Sequence, residues 1–204
     1  MPPLSSDRIV KAARDLADRD GLDAVTLRRL ATELGVHVTS LYNHVPTLDA
    51  IVDGIVELLI SEADLPASSR NWEEWVREFV ASLAAIAEAH PGAFAALERR
   101  PVQGERALSS FEGALAAFAR AGLPPEECYS AVKATTYVAL AIGLERALVA
   151  RGETAETETE LLPADRFPHL LALPNVSEPE ATWAFSVETL VAGLRTQMRR
   201  AKRR

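Results

Sequence analysis

Apolar residues recur along this chain at the three-and-four spacing that gathers them on one face of a helix, and glycine, proline or a short polar run interrupts the pattern at intervals. Ile9, Ala12, Ala13, Leu16 and Ala17 make the first such face. With Ser5 or Ser6 able to cap its start and Gly21 suited to a left-handed stop, they predict a helix over residues 6 to 20. After the crossing LDAV, Thr26 can cap a second helix whose inner side is Leu27, Leu30, Ala31 and Leu34, and Gly35 ends it. A few residues later Val38, Leu41 and Val45 form the inner stripe of a short third helix. Helix, tight glycine-containing turn, helix is the order of a helix-turn-helix.

Pro46 disfavours helical continuation through Val45. Thr47 caps a fourth helix, to about Ser61, in which Leu48, Ile51, Val52, Ile55, Val56 and Leu59 make a broad apolar side. Beyond the loop ADLPASSR, Asn71 followed by Glu74 reads as a capping box for a helix through Ala89, ended by His90-Pro91. Shorter helices are expected near 92 to 99 and 105 to 121, the latter closed by Gly122, and Pro124 opens a long one to about Ala150. The polar, acidic run GETAETETE cannot build a core, so 152 to 164 is expected to be mobile. RFPHLLAL offers one or two helical turns. Ser177, Pro179 and Glu180 then open a last helix carrying Trp183, Val187, Leu190, Val191 and Leu194. No stretch reads as strand and none repeats. The expected class is all-α, with residues 1–46 as a three-helix helix-turn-helix domain, residues 47–204 as a larger helical domain, and the fourth helix joining them.

At 204 residues and 48% hydrophobic content the chain can bury a sizeable core. It has no apolar run of the roughly 18 to 20 residues a bilayer span needs, and its start MPPLSSDRIVK lacks the apolar stretch of a secretory signal, so a cytoplasmic, membrane-free protein is expected. A lone cysteine, Cys128, cannot form an internal disulfide, and the four scattered histidines lack metal-ligand spacing, so no cofactor is expected. No glycine-rich phosphate loop, GxSxG or His-Glu metal spacing is present, and Glu126-Glu127 beside Cys128 raises rather than lowers a thiol pKa; these features argue against an enzyme. A net charge of −7 gives no bulk attraction to nucleic acid. Residues 1–50 hold six Lys/Arg against seven Asp/Glu, a net −1 that leaves −6 for the rest, so neither part is basic.

The stretch VTSLYNHV changes that picture. Its apolar spacing leaves Thr39, Ser40, Tyr42, Asn43 and His44 facing outward, where a solvated helix more often carries Lys and Glu. Hydroxyl, amide and imidazole groups can hydrogen-bond base edges and phosphates in a major groove, which admits one helix. The alternative from pattern alone is an ordinary polar surface on a helical interaction module that binds no DNA. Salt-dependent affinity for duplex separates the two.

The stretch IVKAARDLADRDGLDAVTLRRLATELGVHVTSLYNHVPTLDAIVDGI resembles the amino-terminal pattern of the tetracycline-repressor (TetR) family through all four helices, with Gly21, VTLRRLATELGV and SLYNHV carrying the likeness. RFPHLLAL and FSVETLVAGLR look like the tetracycline-repressor subgroup. The resemblance implies a ligand-responsive transcription regulator, a repressor in most of the family, acting as a homodimer on a pseudo-palindromic double-stranded DNA operator. By position, the family's DNA contacts fall on Leu27, Arg28, His37, Val38, Thr39, Ser40, Tyr42, Asn43 and His44. Arg28 would take a guanine edge or a phosphate, Tyr42 and His44 phosphates, and Val38, Thr39 and Asn43 bases. Where members often place a Lys at the start of the fourth helix, this chain has Leu48.

In the tetracycline-binding members, His, Asn, Gln and Thr side chains hold the drug and its magnesium; the corresponding positions here fall on Phe79, Ala96, Arg99 and Ala114. The implied effector is therefore small, mostly apolar and bound without a metal. Its candidate lining is Trp75, Phe79, Leu83, Phe94, Phe111, Leu115, Phe118, Tyr129, Thr136 and Tyr137, although aromatic residues at helical spacing also suit a plain core. Small residues in 124 to 150 (Ala131, Ala134, Ala139, Ala141, Gly143), together with the apolar last helix, suit an intersubunit four-helix bundle.

Overall fold

Helix α1 (Ser6–Asp20) begins where Ser5, in extended backbone, turns its Oγ to accept the Arg8 N–H at 3.3 Å. Its end differs from the expected left-handed stop. Gly21 has φ 86° with ψ 157°, a region open almost only to glycine, and it sends the chain outward into a single 3-10 turn, Leu22–Ala24. Thr26 then starts α2 (Leu27–Leu34) by accepting the Arg29 N–H at 3.3 Å. Gly35 ends α2 in the left-handed conformation, φ 66° and ψ 35°. The Gly35 N–H donates to the Thr32 carbonyl and the Val36 N–H to Ala31, at 3.2 and 3.0 Å, the paired bonds of a Schellman ending. That turn reverses the chain into α3 (Val38–Tyr42), which Leu41 and Val45 anchor by burial in the core.

The computed structural model describes residues 3–67, 71–101, 103–153, 163, 165–172 and 179–203. Within them all regular structure is helical: α4 (Leu48–Glu62), α5 (Trp72–Ala89), α6 (Ala96–Arg99), α7 (Glu105–Ala121), α8 (Pro125–Ala150), α9 (Pro168–Leu171) and α10 (Pro179–Ala201) follow the first three. Thr47 caps α4 by accepting the Ala50 N–H at 3.0 Å, and Asn71 caps α5 by accepting that of Glu73 at 2.9 Å. Most of the 152 to 164 stretch expected to be mobile, and the expected cap Ser177, lie outside the described residues.

The helix expected near 92 to 99 is cut to four residues, for a tertiary reason. The Ala93 N–H donates to Asp18 Oδ1 of α1 at 2.9 Å instead of to a carbonyl one turn back. Gly92 packs so closely on α1 that an added Cβ would lie 1.9 Å from the Ala17 carbonyl oxygen. The chain therefore crosses α1 in turns before α6 begins.

Burial gathers into two clusters. The larger runs without interruption from Ile9, Leu16, Leu30 and Leu41 through Ile51, Ile55 and Leu59 to Leu83, Phe94, Ile142 and Trp183, so the first three helices share a core with α4, α5 and α8. The smaller holds Trp72, Trp75, Phe118, Val132, Val191, Leu194 and Met198 between α5, α7, α8 and α10. Helix α5 lies along α8 as the spine of this half.

The small residues of α8 do not form an outward stripe. Ala131, Ala139 and Gly143 face inward, Ala134 is half-buried, and of the five only Ala141 is exposed. Gly143 is small because Phe94 occupies the space beside it: a Cβ there would come within 2.3 Å of the ring. Gly143→Ala should therefore overpack the core and cost about 2 kcal/mol, read as a lower urea midpoint at unchanged slope. An unchanged midpoint would show that the Phe94 ring can withdraw freely.

Candidate nucleic-acid interface

Helices α2 and α3, fixed at the Gly35 turn, present one polar surface. Arg28, His37, Thr39, Tyr42, Asn43 and His44 are exposed, while Ser40 is half-buried. Leu27 and Val38 are also half-buried and pack against the core, so they form the floor of that surface. His37 Nδ1 lies 3.2 Å from Thr39 Oγ1. Ser6 Oγ donates to the His44 carbonyl at 3.0 Å, pinning the end of α3 to the start of α1. Nothing in the spacing of the chain points to that bond, since 38 residues separate its partners. Leu48 packs against the core cluster, which accounts for an apolar residue at a position where a lysine would reach outward.

Charge on this part of the molecule is mostly internal. Arg19 pairs with Asp20 and Glu33, Arg29 with Asp20, and Arg14 with Asp15 and Glu62. The exposed pairs of Arg19 and Arg29 contribute little stability, yet all of these pairs neutralise the cations involved at short range. Arg28 is exposed and, among the described residues, pairs with no carboxylate. It is thus a guanidinium at the start of α2 that remains available for a phosphate or a base edge.

Two further arginines tie α4 and the 3-10 turn to the end of α6. Arg100, just past α6, grips Asp53 of α4 with two nitrogens at 2.6 and 2.9 Å and reaches Asp49 at 3.3 Å. Arg99 meets Asp23 of the 3-10 turn at 2.7 Å. Hydrogen bonding from Arg100 holds the Asp53 carboxyl below the ordinary carboxylate range, and Arg99 does the same for Asp23.

The ten residues expected to line an effector pocket separate by position. Trp75, Leu83, Phe94 and Phe118 are buried; Trp75 stacks on Phe79 with ring centres 4.8 Å apart and meets Phe118 edge-on at 6.2 Å. Phe79, Phe111, Leu115 and Thr136 are half-buried, and the Thr136 hydroxyl is taken by the Val132 carbonyl. Tyr129 and Tyr137 stand on the outer face of α8, 55% and 62% exposed, although the Tyr129 ring edges Phe111 at 6.2 Å. An open cavity of about 720 Å³ lies along α7, lined by Gly104, Leu108, Glu112 and Gly113 among others, and includes none of the ten. Cys128 is buried and its Sγ donates to the Leu123 carbonyl at 3.4 Å; burial, with Glu127 adding to it, pushes the thiol up. No helix among the described residues is long and apolar enough to cross a membrane.

Comparison with known proteins covers both halves. The family described as "Bacterial regulatory proteins, tetR family" matches residues 9–55, and "Tetracyclin repressor-like, C-terminal domain" matches residues 65–198. An HTH-type transcriptional regulator of Saccharopolyspora erythraea is 40% identical over 122 residues, 59% of this chain; the chain spans 52% of that relative's length. The tetracycline repressor protein class D of Escherichia coli is 28% identical over 206 residues, covering 97% of this chain and 92% of the relative. Among solved structures, the Streptomyces coelicolor TetR family protein ActR in complex with actinorhodin superposes with a TM-score of 0.81 at 28% identity, over 97% of this chain and 99% of the other. The helix-turn-helix formed by α2 and α3, the all-α body behind it and the family match across 65–198 agree, and the chain belongs to the TetR family of transcriptional regulators.

Proposed function

We propose that the protein is a ligand-responsive transcriptional repressor, which binds a pseudo-palindromic operator as a homodimer and is released by a small, mostly apolar effector held without a metal. The observation that carries the DNA-binding part is the outward polar face of α3 beside Arg28, in a chain whose −7 net charge provides no other attraction to DNA. Residues 1–46 act as the reading head, residues 47–204 as the effector-binding and dimerising body, and α4 with the α5–α6 corner as the link. Half-sites lie about one helical turn, ~34 to 36 Å, or a multiple of it apart.

In this reading Thr39 and Asn43 meet bases, with Val38 against an apolar base edge; Arg28 takes a guanine or a phosphate, and Leu27, His37, Ser40, Tyr42 and His44 complete the contact surface. Support for a dimer comes from large apolar residues left outside: Tyr129, Tyr137, Leu148 and Val149 on α8 and Phe185, 72% exposed, on α10. These, rather than the small residues of α8, are the groups with area to bury. Support for an apolar, metal-free effector comes from the positions where tetracycline-binding members place metal and drug ligands. Phe79 stacks on Trp75, Ala96 and Ala114 are buried, and Arg99 is occupied by Asp23, so none of the four offers an imidazole or amide. The half-buried Phe79, Phe111, Leu115 and Thr136 are then the first candidates to touch the effector, with Trp75, Leu83, Phe94 and Phe118 as the wall behind them.

Three measurements test this. On a duplex recovered by in vitro selection, Asn43→Ala should weaken binding by about 1 to 3 kcal/mol with relaxed base preference, and Arg28→Ala should lower the salt slope by about 1 if it holds a phosphate. Salt-independent affinity for all duplexes would instead identify a protein-interaction module. Phe185→Glu combined with Tyr137→Glu should leave folded monomers by light scattering, and an unchanged dimer mass would move the interface elsewhere. Titrating a panel of aromatic and aliphatic compounds, with and without magnesium, should yield a ligand that both raises the melting temperature and weakens operator binding by about 5- to 150-fold. A hit that acts only with magnesium would contradict the metal-free pocket.

A further inference from the structure

We propose that His90 is a charge-dependent clasp between the reading head and the effector-binding body, closed only while its imidazole carries both ring protons; the meaning of those two parts rests on the function proposed above. His90 ends α5 at the point where three helices meet. Its Nδ1 lies 2.7 Å from Asp18 Oδ2 on α1, and its Nε2 lies 2.8 Å from Glu62 Oε2 at the end of α4. An ionised carboxylate only accepts, and a neutral imidazole offers one N–H and one lone pair. Both contacts are hydrogen bonds only on the doubly protonated ring. In either neutral tautomer one nitrogen turns its lone pair toward a carboxylate oxygen, and one link of the three-helix contact becomes repulsive.

The neighbours keep both carboxylates in place for this. Asp18 also accepts the Ala93 N–H at 2.9 Å through its other oxygen, and Arg151 at the end of α8 acts on it electrostatically while pairing with Glu153. Glu62 uses its other oxygen to accept from Arg14 at 2.9 Å, and Arg14 also holds Asp15 and acts on Asp18. On its own helix Glu88 is the closest charge along the chain, and Arg146 occupies it. The His90 side chain is 16% exposed, so water has little room to replace a lost partner. The sign follows from the ring's being the cation: the clasp is complete at lower pH and opens as pH rises and the second ring proton leaves.

The test compares wild type with His90→Gln, which is neutral at every pH, and His90→Arg, which keeps a charge and enough donors for both carboxylates. Between about pH 5.5 and about pH 8, the wild-type urea midpoint should fall relative to that of the Gln variant, while the Arg and Gln midpoints stay parallel. Exchange of the Ala93 N–H, corrected for its intrinsic pH dependence, should quicken about five-fold or more in wild type alone over the same range. Ring ¹⁵N shifts should show His90 doubly protonated at the low end. Parallel profiles for wild type and the Gln variant, or a single neutral tautomer at about pH 6, would overturn the clasp. For the regulatory consequence, the ratio of wild-type to Gln-variant affinity for a selected duplex should change about five-fold or more across the range, in either direction. A constant ratio while the ring titrates would overturn the coupling. Failure of every form to bind any duplex would overturn the function proposed above, and the ring shifts would still decide the clasp.

Discussion

The α5–α6 corner and α1 meet backbone to backbone, and the arrangement of the rest follows from that contact. Only a glycine fits at residue 92, since a Cβ would press into the Ala17 carbonyl oxygen. With the corner seated there, Asp18 captures the Ala93 N–H and α6 is shortened to four residues. Arg99 and Arg100 then fall opposite Asp23 and Asp53. The apolar consequence is a core that passes from the helix-turn-helix into the larger half without a gap, through Ile55 and Leu59 to Phe94. Head and body are therefore not beads on a flexible link. A displacement of the corner has to be answered by α1 or α4, because a close-packed core transmits strain.

Charge makes sense only when read locally. For a chain proposed to bind DNA, an acidic sum looks contradictory, and residues 1–50 alone, at net −1, are not basic either. Pairing resolves the conflict: carboxylates of α1 and α2 engage Arg14, Arg19 and Arg29, while Arg28 beside the reading helix is left with no carboxylate partner among the described residues. In the proposed reading Arg28 adds local attraction to phosphate beside α3, and the acidic remainder opposes non-specific binding elsewhere.

Helix α8 carries two faces with different duties. Its inward face is cut to small residues by close neighbours, Gly143 against the Phe94 ring above all. Its outward face keeps Tyr129, Tyr137 and Leu148 exposed, the residues assigned to the dimer contact in the proposed function. Lys133 lies over the Tyr137 ring at 4.8 Å, which partly shields that ring. Periodicity alone does not distinguish the two faces, because large apolar residues stand on both and the few polar ones do not gather into one stripe.

What the sequence determined by itself was local: helices, their starts and their stops. Ser5, Thr26, Thr47 and Asn71 each cap the helix whose start they mark, and Gly35 closes α2 as its position foretold, because caps and turns depend on neighbours within four residues. The polar face of α3 was legible for the same reason, since a stripe of Val38, Leu41 and Val45 turns Thr39, Tyr42, Asn43 and His44 outward, with Ser40 half-buried at its edge. Tertiary structure alone decided the shape of the Gly21 exit, the shortened α6, the inward turn of the small residues on α8 and the bond from Ser6 to the His44 carbonyl. It also decided the junction: His90 reads in sequence as the residue before a proline that ends a helix, yet its two partners lie 72 and 28 residues away. Contacts at such separations leave no periodic trace along the chain. They exist only once the folded core has brought α1, α4 and the end of α5 to one place.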